Sequence, residues 1–322
     1  MKRRYLGNTG LKVSRLGLGT LTWGTDTDPD DAEAQLRAFV DAGGTLLDTA
    51  AGYGDGATES LIGELLGSVV DRDDVVLATK GGIGRPHGER VVDVSRGALL
   101  RNLDTSLRRL GVEYVDLWQV HTWSDDVPLE ETLTAVDVAV ASGRARYVGI
   151  SNYSGWQTAI AATHQLASPG RARLASTQVE YSLLQRGIER EVAPAAEALG
   201  LGILPWSPLG RGVLTGKYRT GTPTDSRAAS KRFERYVGVH LNPGAAQVVE
   251  AVCRAAEGLE LSPAEVALAW VRDQPGVTAP IVGARTVAQL EQSLSVEDVT
   301  LPEEIVDALD DVSAPELGYP ET

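Results

Sequence analysis

Short apolar runs alternate with longer segments of helical period along nearly the whole chain. Eight runs stand out, at residues 14–19, 45–49, 75–80, 114–121, 147–151, 174–179, 202–207 and 280–283. Each is continuously apolar rather than alternating, the pattern of strands buried on both faces of a parallel sheet. Between them the spacing is helical. Leu99, Leu103, Leu107 and Leu110 share one face ahead of Gly111, and Leu129, Leu133, Val136 and Val140 share another ahead of Gly143. Asp28 before Pro29 reads as an N-cap followed by a first-turn proline, opening a helix that stops at Gly43–Gly44. Ser262 and Glu265 read as a capping box.

Eight strand-then-helix units with short links predict an α/β fold, and eight is the number that closes a (β/α)8 TIM barrel. An open doubly wound sheet is the alternative, and it wants a G-x-G-x-x-G turn after the first strand. Gly17 and Gly19 lie inside the first run and no third glycine completes that turn, so the barrel is preferred. Two segments add to the plain plan. Residues 2–13 carry a turn at Gly7-Asn8-Thr9-Gly10 and read as an N-terminal β-hairpin plugging the barrel bottom. Residues 208–241 form a long loop after strand seven, of the kind that carries function. One barrel domain is expected to span residues 1–322.

Charge and cysteine usage narrow the partners. A net charge of −14 argues against nucleic acid or an anionic membrane surface, and confines any anionic ligand to a locally positive pocket. Cys253 is the sole cysteine, so no intrachain disulfide forms; it reads as a packed core thiol in a reducing compartment. Lys2, Arg3 and Arg4 lead into Gly7, Asn8, Thr9, Gly10 and Lys12 rather than the apolar run of a signal peptide. No uncharged stretch reaches membrane-helix length. These features predict a cytoplasmic protein, a monomer or weak homo-oligomer, acting on a small molecule.

Chemistry in a barrel sits at the C-terminal ends of the strands. Six successive runs end there in polar groups: Asp48, Lys80, His121, Ser151–Asn152, Gln178 and Trp206–Ser207. Groups of this kind are costly to bury apart, so they are expected to face one another around one site. Asp48, Lys80 and His121 then join Tyr53 in one constellation. A tyrosine of ordinary pKa, about 10, is a weak acid at neutral pH. The Lys80 ammonium stabilises the phenolate and is expected to lower that pKa, while Asp48 offsets the buried charge of Lys80. His121 can donate to a substrate oxygen. Such a pocket binds a carbonyl oxygen and protonates it as charge develops, with the hydride supplied by a cofactor.

The sequence resembles the aldo-keto reductase superfamily over essentially its whole length. Asp48-Thr-Ala-Ala-Gly-Tyr53-Gly is similar to the family's Asp-x-Ala-x-x-Tyr-Gly segment, with Thr58-Glu59 and Gly63 following. Ala78-Thr79-Lys80, Gln119-Val120-His121 and Gly149-Ile150-Ser151-Asn152 resemble its lysine, histidine and Gly-[IV]-Ser-Asn segments. The resemblance implies Tyr53 as general acid, tuned by Lys80 and Asp48, with His121 orienting the carbonyl of a small aldehyde or ketone. It implies NADPH/NADP+ in preference to NADH, and no metal. Ser151, Asn152 and Gln178 then hold the nicotinamide amide and Trp206 stacks on its ring, with Thr20, Leu21 and Asp48 alongside. Ser207, Pro208, Leu209, Gly210, Gly212, Lys217 and Arg227 wrap the pyrophosphate. Gly283, Arg285, Gln289, Gln292 and Ser293 take the adenosine 2′-phosphate end. Arg285 and Ser293 depart from many relatives, which bears on the NADPH preference. Trp23 and Trp123, just past strand ends, are the expected walls of a substrate pocket. Some similar proteins are cytoplasmic subunits of potassium channels, so an NADPH-binding regulatory subunit with vestigial reductase activity is the alternative function.

Overall fold

A computed structural model of the chain describes residues 1–85, 89–224, 226–230, 233–315 and 318. An antiparallel hairpin comes first, β1 (Arg3–Tyr5) and β2 (Lys12–Ser14). Then come β3 (Gly17–Gly19), α1 (Pro29–Asp41), β4 (Leu46–Asp48), α2 (Ala57–Leu65) and β5 (Val76–Gly81). A second small hairpin follows, β6 (Ile83–Gly84) with β7 (Val91–Val92). The chain continues through α3 (Arg96–Leu110), β8 (Val115–Val120), α4 (Leu129–Ala141), β9 (Ala145–Ser151), α5 (Gly155–Ala167), β10 (Leu174–Glu180), α6 (Ile188–Leu199) and β11 (Gly202–Trp206). After it lie α7 (Glu234–Gly238), α8 (Pro243–Leu259), α9 (Pro263–Arg272), β12 (Ile281–Val282), α10 (Val287–Leu294) and α11 (Glu303–Ser313). Strands β3, β4, β5, β8, β9, β10, β11 and β12 pair in parallel and close on themselves. The architecture is the (β/α)8 barrel. Among the described residues no helix is long and apolar enough to cross a membrane.

The expected helix signals are present as geometry. Asp28 accepts from the Asp31 amide at 2.9 Å, and Ser262 and Glu265 complete a reciprocal capping box. Gly111 ends α3 in the left-handed conformation, φ 66°. At residue 14 the pattern blends two strands: Ser14 closes the plug hairpin, and the first barrel strand begins only at Gly17.

The continuous apolar runs divide by facing. Leu47 and Leu77 pack outward against the helices, whereas Leu46, Ala78, Leu117 and Leu204 point into the barrel and meet Leu6 and Val13 of the hairpin. The hairpin enters so closely that a Cβ on Gly7 would lie 2.4 Å from the Gly200 carbonyl oxygen. Apolar side chains thus fill the lower barrel. One pleat further along the same inward rows come Asp48 and Lys80, at the upper end.

Candidate active site

The centre of the upper barrel is an ion pair. Lys80 Nζ donates to Asp48 Oδ2 at 2.7 Å and to the Thr49 carbonyl at 2.8 Å. The two side chains are 0% and 4% exposed. Gln178 Nε2, from β10, donates to the other Asp48 oxygen at 2.9 Å. Thr20 adds a hydroxyl bond to the Asp48 carbonyl at 2.9 Å. Asp48 and Tyr53 raise the Lys80 pKa more than burial lowers it, so the ammonium stays charged.

Tyr53 begins the short helical turn Tyr53–Gly56 between β4 and α2, with Lys80 Nζ 5.2 Å from its ring centroid. Burial pushes the phenol pKa up, Lys80 pulls it down, and Asp48 and Tyr236 push it up; the net direction is upward. The expectation of a lowered pKa is therefore corrected. Lys80 acts in the expected sense, but desolvation of the phenolate outweighs it. His121 faces Tyr53 edge-on, ring centroids 5.9 Å apart. Burial and the positive charges of Lys80 and Arg90 hold its pKa well below the usual histidine value, so the ring is neutral.

Above these residues opens a cavity of about 450 Å³. Asn152 knits one side of it together: its Nδ2 donates to the His121 carbonyl at 3.0 Å, and its Oδ1 accepts from Trp206 Nε1 at 3.0 Å. Ser151 donates to the Gln178 carbonyl at 2.9 Å. The wall continues through Ser207, Pro208, Leu209, Gly212 and Lys217 to Gly283 and Arg285 ahead of α10 and to Gln289, Gln292 and Ser293 along it. Asn152, Ser207 and Arg211 all carry positive φ, at 57°, 52° and 58°. Non-glycine residues hold such angles only when surrounding contacts enforce them, and such residues cluster at functional sites.

The sequence pattern that defines the "Aldo/keto reductase family" matches residues 15–314. The chain belongs to the aldo/keto reductase family. It is 37% identical to the uncharacterized oxidoreductase YrpG of Bacillus subtilis (strain 168), over 97% of this chain and 96% of that protein. It is 34% identical to a probable voltage-gated potassium channel subunit beta of Oryza sativa subsp. japonica, covering 97% of this chain and 96% of that protein. It is also 34% identical to L-glyceraldehyde 3-phosphate reductase of Escherichia coli O157:H7, over 91% of this chain and 87% of that protein.

Several expected site residues of this aldo/keto reductase lie elsewhere. Trp23 is fully buried in the outer core, its Nε1 bonded to Gln35 of α1 at 3.1 Å, and it does not reach the cavity. A position past a strand end does not turn this side chain inward, because its indole is held by Gln35 on α1. Trp123 packs edge-on against Tyr153 and Trp156, centroids 5.2 and 5.4 Å away, outside the cavity lining. Gly210 is buried behind the wall against Leu184. The Arg227 side chain lies outside the described residues. Two lining residues carry no local signal of their role, Arg211 and Tyr236. Arg211 is held by both Glu180 oxygens at 2.8 and 2.6 Å and lies 4.0 Å from the Tyr236 ring centroid. Tyr236 in turn bonds the Ser207 hydroxyl at 2.8 Å. The long loop thus folds over the cavity through contacts between residues far apart in sequence.

Proposed function

We propose that this chain is an NADP(H)-dependent reductase of small aldehydes and ketones, with Tyr53 as the general acid. One observation carries the reading: a buried, charged Lys80–Asp48 pair sits beneath a protonated Tyr53 and a neutral His121 at the floor of an open cavity. That is a donor set for a carbonyl oxygen that gains negative charge. Tyr53 O–H and a His121 N–H are the two donors toward it. As the Tyr53 proton passes to the alkoxide oxygen, the Lys80 ammonium stabilises the phenolate left behind. Asp48 keeps Lys80 charged and in place.

A bound nicotinamide dinucleotide supplies the hydride. The chemistry of the lining fits such a group. Ser151, Asn152 and Gln178 offer amide and hydroxyl partners for a carboxamide; Gln178 uses its Nε2 on Asp48, which leaves Oε1 for a ligand amide. Trp206, fixed by Asn152, offers an indole face for a planar ring. Lys217 and the left-handed backbone at Arg211 and Gly212 suit phosphate oxygens. Arg285, ahead of α10, supplies the charge that a 2′-phosphate needs and an NADH ribose does not.

A second reading draws on the similarity to a protein named as a probable potassium channel subunit beta. It makes the chain a cofactor-holding regulatory subunit. Titration with NADPH and NADH, followed by tryptophan fluorescence, and then exposure of the loaded protein to a panel of carbonyl compounds separates the two. The reductase reading expects tighter NADPH binding and oxidation by at least one aldehyde or ketone. Tight binding with no oxidation across the panel favours the regulatory reading, and binding of neither nucleotide refutes both.

A further inference from the structure

We propose that Arg109, held by Glu59, is a positioning residue that sets where the Tyr53 hydroxyl meets the substrate carbonyl. The inference rests on the reading of Tyr53 as the acid.

The loop carrying Tyr53 has little regular structure of its own. Gly54, Asp55 and Gly56 run consecutively in the left-handed region, at φ 55°, 54° and 96°. At its start the Ala51 amide donates to the Lys80 carbonyl, and the Tyr53 amide donates to the Ala50 carbonyl, each at 3.0 Å. A loop strained at Asp55 keeps one shape only if its neighbours enforce it.

Arg109 supplies that enforcement from the last turn of α3. Its Nη1 donates to the Ala51 carbonyl and its Nη2 to the Asp55 carbonyl, both at 3.3 Å. The planar guanidinium thereby spans the loop from one side of Tyr53 to the other, which the single point charge of a lysine cannot do. Gly56 makes room for it: a Cβ there would lie 2.0 Å from the guanidinium carbon. The same guanidinium lies 3.4 Å from the carboxylate of Glu59, whose side chain is 0% exposed. The other Glu59 oxygen accepts the Thr79 hydroxyl at 2.7 Å. Thr79 is the residue before Lys80, facing the opposite side of β5. One buried carboxylate therefore ties the Tyr53 loop to the strand that carries Lys80. None of Arg109, Glu59 or Thr79 lines the cavity. They act on the reaction only through Tyr53 and Lys80.

The test compares Arg109→Leu and Arg109→Lys, each alone and in a Tyr53→Phe background. Carbonyl-reduction kcat and KM, NADPH affinity by fluorescence, and thermal unfolding are measured for each. A displacement of about 1 Å at a reacting group costs on the order of 10²-fold, so Arg109→Leu is expected to lose about that in kcat. KM and NADPH affinity are expected to stay within about twofold, and Arg109→Lys to recover part of the loss. In the Tyr53→Phe background the Arg109 substitutions are expected to cost nothing further, because residues acting as one unit are non-additive. Unchanged kcat in Arg109→Leu, or a full multiplicative loss on top of Tyr53→Phe, overturns the brace. If Arg109→Leu does not fold, wild-type kcat in Arg109→Lys overturns it as well. Full turnover in Tyr53→Phe alone overturns instead the acid reading on which the brace depends.

Discussion

Replacing Asp48 by alanine isolates the energetics of the ion pair under the site. Lys80 is fully buried, and Asp48 Oδ2 is its charged partner at 2.7 Å. After the substitution the ammonium keeps the Thr49 carbonyl as an acceptor but no counter-charge, and Gln178 Nε2 loses its bond as well. Breaking a buried pair from one side costs about 3–5 kcal/mol. For 322 residues, with an unfolding entropy of about 2.1 cal/mol/K per residue, that lowers Tm by roughly 4–7 °C. The opposing sign is available in the same site. Asp48→Leu combined with Lys80→Met removes both charges, and such replacements are neutral or stabilising by about 1–4 kcal/mol. Differential scanning calorimetry at pH 7 is expected to show the single variant melting low and the double variant recovering, while neither reduces a carbonyl. An Asp48→Ala protein melting within about 1 °C of wild type would refute the reasoning, as would a double variant less stable than the single.

Other outcomes follow from the same geometry. Arg285→Ala removes a charged partner worth about 1.5–3 kcal/mol, so the Kd for NADPH should rise about tenfold or more with that for NADH little changed; equal weakening of both in a fluorescence titration contradicts the assignment. Tyr53, held above the usual tyrosine pKa near 10, keeps its acid form loaded through neutral pH. Reductive kcat/KM should therefore be flat from about pH 6 to 9, and a limb centred inside that range counts against Tyr53 as the acid. His121 stays neutral in the folded chain but protonates in the unfolded one below about pH 6.5. The unfolded state binds more protons there, so stability falls as pH drops, and His121→Gln should lose less Tm between pH 7 and 5 than wild type does.

The barrel was legible because strands buried on both faces leave an unbroken apolar run, and their inward polar ends share one rim. Asp48, Lys80 and Gln178 are such ends, and the structure joins all three directly. Trp23 shows where that logic fails. Position past a strand end does not say which way a side chain turns, and Gln35, twelve residues on, decides it. Arg211 and Tyr236 stayed hidden because their roles come from Glu180 and Ser207, about thirty positions away in sequence. The direction of the Tyr53 pKa is hidden for a related reason: a nearby ammonium is visible in the spacing of motifs, but the depth of burial opposing it is not.

The central claim is that Tyr53 delivers the proton while the rest of the cavity holds the cofactor. Tyr53→Phe deletes one oxygen from that arrangement and leaves the Asp48–Lys80 pair and the Trp206 wall in place. NADPH affinity and carbonyl-reduction kcat measured on the same preparation test the claim. The account predicts NADPH binding close to wild type and a kcat lower by about 10²–10⁴-fold. Wild-type kcat in Tyr53→Phe across the carbonyl panel would contradict it.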